Sequence, residues 1–234
     1  MTTSIGPAST SARALAREQL THSILASARA QLGTVGAAQL SVRAVARDVG
    51  LVSSAVYRYF PSRDDLLTAL LVTCFDEVGN AVEQAEAVVD RADLEGRWLA
   101  LAHTFRDWAV AHPWDYALLY GSPVPGYDAP ELTVVPATRV SRVLLRLLTD
   151  LDAATLGRPS VDVSPRFHDT VAGIRELAGD DLSDDLLLSG MRAWSGLVGA
   201  VTLELFGHLV GAVADHAVYF DALARSLSPT RERG

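Results

Sequence analysis

Apolar residues recur along this chain at intervals of three and four, and no stretch alternates convincingly with period two, so the pattern predicts helices almost throughout. Leu15, Leu20, Ile24, Leu25, Ala28 and Leu32 mark a first helix over 14–32, with Gly33 as its natural stop. Ser41 then precedes Val42, Val45, Ala46 and Val49, where its hydroxyl is placed to cap a short second helix that Gly50 ends. A third helix over 53–60 is closed by Pro61. Ser62 opens a fourth, with Asp64 and Asp65 favoured by the helix dipole in its first turn, and that helix runs to about 89. Further helices are expected over 93–112, 114–120, 136–151, 184–209 and 212–227. The stretch 121–130 holds three prolines and two glycines and reads as a loop, and 155–167 reads as a second irregular segment. The expected fold class is therefore all-α.

The second helix, the turn at Gly50 and the third helix have the spacing of a helix-turn-helix, in which the second helix of the motif enters the major groove. Val45, Val49, Val56 and Phe60 are positioned to pack inward, whereas Ser53, Ser54, Ala55, Arg58 and Tyr59 fall on the outer face or its flanks. Small residues at the start of a recognition helix let it sit deep, serine hydroxyls serve base edges or phosphates, and the Ala55 methyl suits a thymine methyl. Tyr57, Arg58, Arg63 and Arg43 have the reach for phosphates, contacts that set register without reading sequence. Together with Ser41 these are the candidate DNA-binding residues.

Charge sharpens this picture. The 234 residues carry a net charge of −8, which by itself argues against a nucleic-acid partner. Residues 1–63, however, hold seven arginines against two acids, a balance of +5, while the remainder holds 13 against 26, a balance of −13. A basic front on an acidic body is expected when only one module meets phosphate. With 49% hydrophobic residues the chain has material for a sizeable core. The first dozen residues lack a basic head and an apolar middle, so 1–12 read as a disordered tail and not as a signal peptide. A lone cysteine, Cys74, and apolar runs too short for a spanning segment make the cytoplasm the expected compartment.

The stretch AVYRYFPSRDDLLTAL, 55–70, resembles the signature of TetR-type transcriptional regulators, whose recognition helix ends in Leu-Tyr-x-His-Phe followed by Ser-Lys-Glu and a Leu-Leu pair. Val56, Tyr57, Phe60, Ser62, Leu66 and Leu67 stand in register with it. Arg63 replaces the usual lysine, Tyr59 the frequent histidine, Ser54 and Ala55 a common Gly-Thr pair, and Val52 a serine that often caps the third helix, which leaves Ser53 or Ser54 as the alternative cap. More weakly, AWSGLVGAVTLELFGHL, 193–209, resembles the Trp-His-Gly type of carboxy-terminal domain in that family, with Val198 in the place of its histidine. The resemblance implies an amino-terminal DNA-binding domain, 13–63, and a larger helical ligand-binding and dimerisation domain, 64–230. It implies a homodimer held by the last two long helices, a double-stranded DNA operator and a small-molecule effector; from the residues themselves no catalytic role, cofactor or membrane partner is expected. On that basis Leu197, Val201, Leu205, Val213 and Phe220 are the expected dimer contacts, and Gly196, Gly199 and Gly207 permit close helix approach.

Other residues carry competing readings. Trp98, His103, Phe105, Trp108, Tyr116, Tyr120 and Trp194 are candidate effector contacts, but aromatics at helical spacing usually fill interiors. His103 and His112 lie nine residues apart, too far to share a metal by themselves. The cluster DDLSDD, 180–185, reads as a helix start with Ser183 as cap. No nucleophile elbow or phosphate loop is present in the sequence. The leading expectation is thus a ligand-responsive repressor, and the alternative is an all-helical enzyme or partner-binding module that keeps the helix-turn-helix as scaffold.

Overall fold

The computed structural model describes residues 7–154, 163–179 and 182–230, and every regular element among them is helical. The chain forms two compact units, one made of Met1–Cys74 with Ala117–Thr133 and the other of Phe75–Tyr116 with Val134–Gly234.

The first unit contains α1 (Pro7–Val35), a 3-10 turn (Ala37–Gln39), α2 (Val42–Asp48), α3 (Ser53–Val56) and the start of α4 (Arg63–Ala87). Its core is the set of apolar positions that the periodicity marks: Ile24, Ala28 and Leu32 from α1, Val42, Val45 and Ala46 from α2, Val56 and Phe60 around α3, and Leu66, Leu67 and Leu70 from α4. Each fully buried aliphatic side chain of this kind contributes about 1.5–3 kcal/mol relative to exposure. The loop 121–130 is tied to this core, since Val124 and Tyr127 pack against it and the Tyr127 hydroxyl lies 2.9 Å from Thr68 Oγ1. Ser62 caps α4 as expected: its Oγ accepts from the Asp65 amide at 3.0 Å and donates to the Asp65 carboxylate at 2.7 Å, closing the end reciprocally.

Two expectations for this unit need correction. Helix α1 begins at Pro7, not at 14, so residues 7–12 of the expected tail are helical, while Met1–Gly6 lie outside the described residues. Helix α3 is a single α-turn, with the chain tightening through 57–59 before Pro61.

The second unit contains the remainder of α4, α5 (Leu94–Ala111), the first half of α6 (Pro113–Tyr120), α7 (Val134–Ala137), α8 (Arg139–Ala154), α9 (Pro165–Thr170), α10 (Ala172–Ala178), α11 (Asp184–Leu205) and α12 (His216–Leu227). Helix α5 packs on α8, α11 and α12, and α11 packs on α8 and α12. The face of α8 that the periodicity marks, Val140, Val143, Leu144, Leu147 and Leu148, is buried throughout. Close approach is set by missing side chains: a Cβ at Gly190 would meet Leu148 of α8, and one at Gly196 would meet Leu227 of α12. Gly199 has nothing within 4 Å, so its face of α11 is open.

Two arginines hold the helix ends. Arg97 of α5 is fully buried, donating to Glu86 at 2.5 Å and to Asp150 at 2.8 Å, which ties the end of α4 to the end of α8. Burial works against its charge, but the bonds to the two carboxylates outweigh it and its pKa is raised. Arg139 at the start of α8 grips Glu83 through Nε at 3.0 Å and Nη2 at 2.6 Å, and Asp76 through Nη1 at 2.8 Å.

The two long carboxy-terminal helices are shorter than expected. Helix α11 ends at Leu205 and α12 begins at His216; between them Gly207 and Gly211 sit at φ +77° and +79°, a conformation that breaks the helix and that glycine adopts without steric cost. Asp215 supplies the cap, accepting from the amides of Ala217 and Val218 at 2.9 and 3.0 Å. The segment expected to be irregular, 155–167, lies outside the described residues over 155–162, and α9 already begins at Pro165. Ser183 stands at the start of α11 but makes no capping bond; in the cluster around it, Asp184 pairs with Arg175, and Asp180 and Asp181 lie outside the described residues.

Candidate nucleic-acid interface

The interface is built from the α2–α3 pair. Ser41 is the cap of α2, its Oγ accepting from the Ala44 amide at 3.4 Å, and its own amide donates to Gln31 Oε1 of α1 at 3.1 Å. Gly50, at φ +70°, turns the chain after α2, where the amides of Gly50 and Leu51 close on the carbonyls of Arg47 and Ala46. Val52 then leads into α3 in extended conformation. No side chain caps α3, so neither Ser53 nor Ser54 takes over the role that a serine at 52 would have had. After Val56 the turn is carried on by Tyr57 and Phe60, whose amides reach Ser53 and Val56 carbonyls at 3.0 Å.

Val56 and Phe60 anchor this turn in the core, which leaves the opposite side to solvent. Ser54, Tyr57 and Arg58 are exposed; Ser53, Ala55 and Tyr59 are half-buried. Arg43 on α2 is exposed as well, and neither it nor Arg58 has a side-chain hydrogen bond among the described residues. Tyr59 is held from the side of α1, with the Arg17 guanidinium 5.4 Å from its ring centroid. The Ser54 hydroxyl, the Tyr57 phenol and the Arg58 guanidinium on one short turn, with the Arg43 guanidinium on α2, can donate to phosphate oxygens and to acceptors on base edges. Two residues depart from the sequence reading. Val52, not counted there as a contact, is 69% exposed beside Ser53, an apolar side chain turned to water at the head of the motif. Arg63, counted there as a phosphate anchor, is turned onto the protein's own backbone: Nη2 donates to the carbonyls of Ala37 and Ala38 at 2.8 and 3.0 Å, and Nε to that of Leu40 at 3.2 Å.

Of the residues considered as effector contacts, Tyr120 belongs to the first unit; the others lie in the second, where the aromatic ones serve as packing. Trp98, Phe105 and Tyr116 are fully buried and Trp108 nearly so; Trp194 and Tyr120 are half-buried. Trp98 Nε1 donates to the Ala224 carbonyl at 2.8 Å, the Phe105 ring lies 5.0 Å from Trp194 and 6.1 Å from Tyr116, and the Tyr116 hydroxyl donates to the Val198 carbonyl at 2.9 Å. Burial pushes the Tyr116 phenol up, and its bond with Thr202 only partly opposes that. His103 is half-exposed and paired with Asp221 at 3.1 Å, and His112 contacts the Trp108 carbonyl. Hollows of about 450 and 200 Å³ in this unit are lined by other residues, among them His168, Arg175 and Glu176 for the larger and Arg142, Arg146 and Thr149 for the smaller.

The expected dimer contacts divide. Leu197, Val201 and Phe220 are buried within the protomer and unavailable to a partner; Leu205 and Val213 are half-buried. The large apolar residues that do face solvent on α11, α12 and the turn between them are Leu188, Met191, Leu203, Phe206, Val210, Val218 and Tyr219, which periodicity alone did not separate from the buried face. Among the described helices α11 is the one long and apolar enough to cross a membrane, but 39% of its most apolar window is buried against the rest of its unit.

Known proteins share this organisation. The family description "Bacterial regulatory proteins, tetR family" matches residues 24–70, and "Tetracyclin repressor-like, C-terminal domain" matches residues 98–227. The HTH-type transcriptional regulators Rv1816 of Mycobacterium tuberculosis and Mb1846 of Mycobacterium bovis are each 40% identical over 215 residues, which cover 91% of this chain and 92% of each relative. Among solved structures, a candidate regulatory protein, SCO4313, superposes with a TM-score of 0.75 at 31% identity, covering 90% of this chain and 96% of its own. A Rhodococcus protein of unknown function superposes with 0.65 at 26%, covering 89% and 95%. With the helix-turn-helix at one end and the matching helical domain over the rest, the chain belongs to the TetR family of bacterial transcriptional regulators.

Proposed function

We propose that the protein is a ligand-responsive repressor that binds a palindromic operator in the cytoplasm as a homodimer. The observation that carries this reading is the outer side of the α3 turn, where Ser54, Tyr57 and Arg58 are exposed beside Arg43 of α2 while Val56 and Phe60 hold the turn from behind. Arg43, Arg58 and Tyr57 anchor phosphates; Ser53, Ser54, Ala55 and Tyr59 meet base edges, and Val52 offers methyl groups to a thymine. Two such units in a dimer, about 34–36 Å apart, read successive major grooves, and the protein represses where that site overlaps a promoter.

The second protomer docks on the solvent-facing apolar set of α11 and α12, with Gly199 admitting close contact. The effector enters the second unit among Trp98, Phe105, Tyr116 and Trp194, spreading these packed aromatics and favouring a state with the wrong half-site separation. A differential affinity of about 1–3 kcal/mol, or 5- to 150-fold, makes this a useful switch. Selection of bound duplexes from a random-sequence pool at moderate salt tests the reading. Enrichment of an inverted repeat supports it; a bound pool without any repeat overturns it.

A further inference from the structure

We propose that Arg63 is a positioning residue of the DNA-binding unit, a latch that fixes the connection between α1 and α2 and through it the pose of the helix-turn-helix. The inference rests on the DNA-binding reading for its consequence, but the latch itself is a property of the free protein. The connection, residues 36–41, has little structure of its own: Gly36 lies at φ +74°, a 3-10 turn covers three residues, and the amides of Gln39 and Leu40 make bonds of 3.2 and 3.3 Å to Gly36 and Ala37. Arg63, the first residue of α4, reaches over it with two nitrogens. Nη2 takes the carbonyls of Ala37 and Ala38, Nε takes that of Leu40, and Nη1 leans on its neighbour Asp64 at 3.4 Å.

The next residue, Ser41, is the cap of α2, and its amide is held from the α1 side by Gln31 Oε1 at 3.1 Å. Gln31 is buried and its Nε2 has no hydrogen-bond partner, so it holds the connection by this single accepting bond. Whatever fixes 37–40 therefore fixes where α2 starts, and with α2 the direction in which the α3 turn faces. A phosphate anchor needs its donors free for DNA; here three donor bonds are already made to backbone carbonyls, and all three break if the side chain swings away. A lysine would keep the charge but presents one nitrogen where two are used, so Arg63→Lys separates a latch from an anchor.

The experiment compares the full chain with Arg63→Lys and Arg63→Ala by two measurements. One is amide hydrogen exchange over residues 36–41 in the free protein. The other is the slope of log affinity against log salt for a duplex pool of random sequence, where binding is governed by phosphate contacts. The latch predicts exchange at least about tenfold faster in both variants, with peptides from α8 unaffected, and a salt slope for Arg63→Ala equal to that of the parent chain. It is overturned if exchange over 36–41 is unchanged in Arg63→Ala. It is equally overturned if Arg63→Lys exchanges like the parent while Arg63→Ala loses about 0.9 of slope per protomer, the signature of one phosphate contact. A parent chain that fails to bind the pool refutes the DNA-binding reading, and the exchange measurement still decides the latch.

Discussion

Arg106 of α5 meets Glu204 of α11 in a two-bond fork, Nε to Oε2 at 2.8 Å and Nη2 to Oε1 at 2.6 Å, with the two side chains only 13% and 11% exposed. The bonds to Glu204 outweigh the cost of burial and raise the arginine's pKa. His216 Nδ1 at the start of α12 lies 3.5 Å from the same carboxylate, and the Phe220 ring centre lies 5.5 Å from the guanidinium. One ion pair thus joins α5, the end of α11 and the beginning of α12, just where the glycine turn leaves α11 without helical continuation.

Removing one partner strands the other in a poorly hydrated place. Arg106→Ala is expected to lower unfolding free energy by about 3 kcal/mol, whereas Arg106→Met combined with Glu204→Leu recovers most of that loss, because the pair's own desolvation cost disappears with it. Urea unfolding at a fixed protein concentration reads both variants. If the single substitution costs less than the double, the fork is not what holds these helices.

Acid acts on a different pair. The bonds from Arg139 hold the Glu83 carboxyl below its ordinary value; burial opposes this less strongly, and the positive charges of Arg139 and Arg146 add to it. A carboxylate whose pKa is depressed on folding adds stability that is present in full above its unfolded pKa, near 4.3, and lost as pH falls through the lower folded value. Thermal unfolding of the parent chain should therefore lose more between neutral pH and about pH 3.5 than that of Glu83→Gln, which cannot titrate. Equal losses reject the assignment. The effect is moderate, since the Glu83 side chain is 35% exposed and solvent screens the pair.

Buried and exposed apolar residues in and just after α11 make opposite predictions. Phe206→Asp, at a position 44% exposed, should leave the fold intact and shift the protein toward monomer in sedimentation, because it places a charge on the surface proposed to meet a second copy. Leu197→Ala, at a fully buried position, should cost about 2–5 kcal/mol of stability, with no direct effect on the contact between protomers. A Phe206→Asp protein that sediments as the parent does removes this face from the proposed interface.

These contrasts mark what a sequence of this kind discloses. The helix-turn-helix was legible because its constraints are local: Ser41 caps, Gly50 turns left-handed, and Val45, Val56 and Phe60 recur at the spacing of one buried stripe. On α11 that logic fails. Leu197 and Leu203 are the same residue type on one helix, and only the packing of α12 and α8 decides that the first is core and the second faces out. The break between α11 and α12 was expected at 210–211 but spans 206–215, because Gly207 and Gly211 stand among apolar residues whose pattern continues the helical one. Arg63 was read as a phosphate contact because its charge is written in the chain, whereas the carbonyls it meets, 23 to 26 residues away, are not.

Arg58 supplies the comparison that gives Arg63 its meaning. It is exposed on the α3 turn and engages no acceptor among the described residues, so a duplex gains its charge without breaking a bond to any of them. Its loss should touch neither the core nor the cap of α2, both of which face away from it: Arg58→Ala should unfold at the parent's temperature within the small range of surface substitutions. On a random-sequence duplex pool it should lower the magnitude of the salt slope by about 0.9 per protomer, since one counterion fewer is released for each phosphate left unneutralised. On an operator recovered by selection, affinity should fall by a similar factor across sequence variants, because a phosphate contact carries no base preference. If the loss is confined to particular base substitutions, Arg58 reads a base edge and its place among the anchors is wrong.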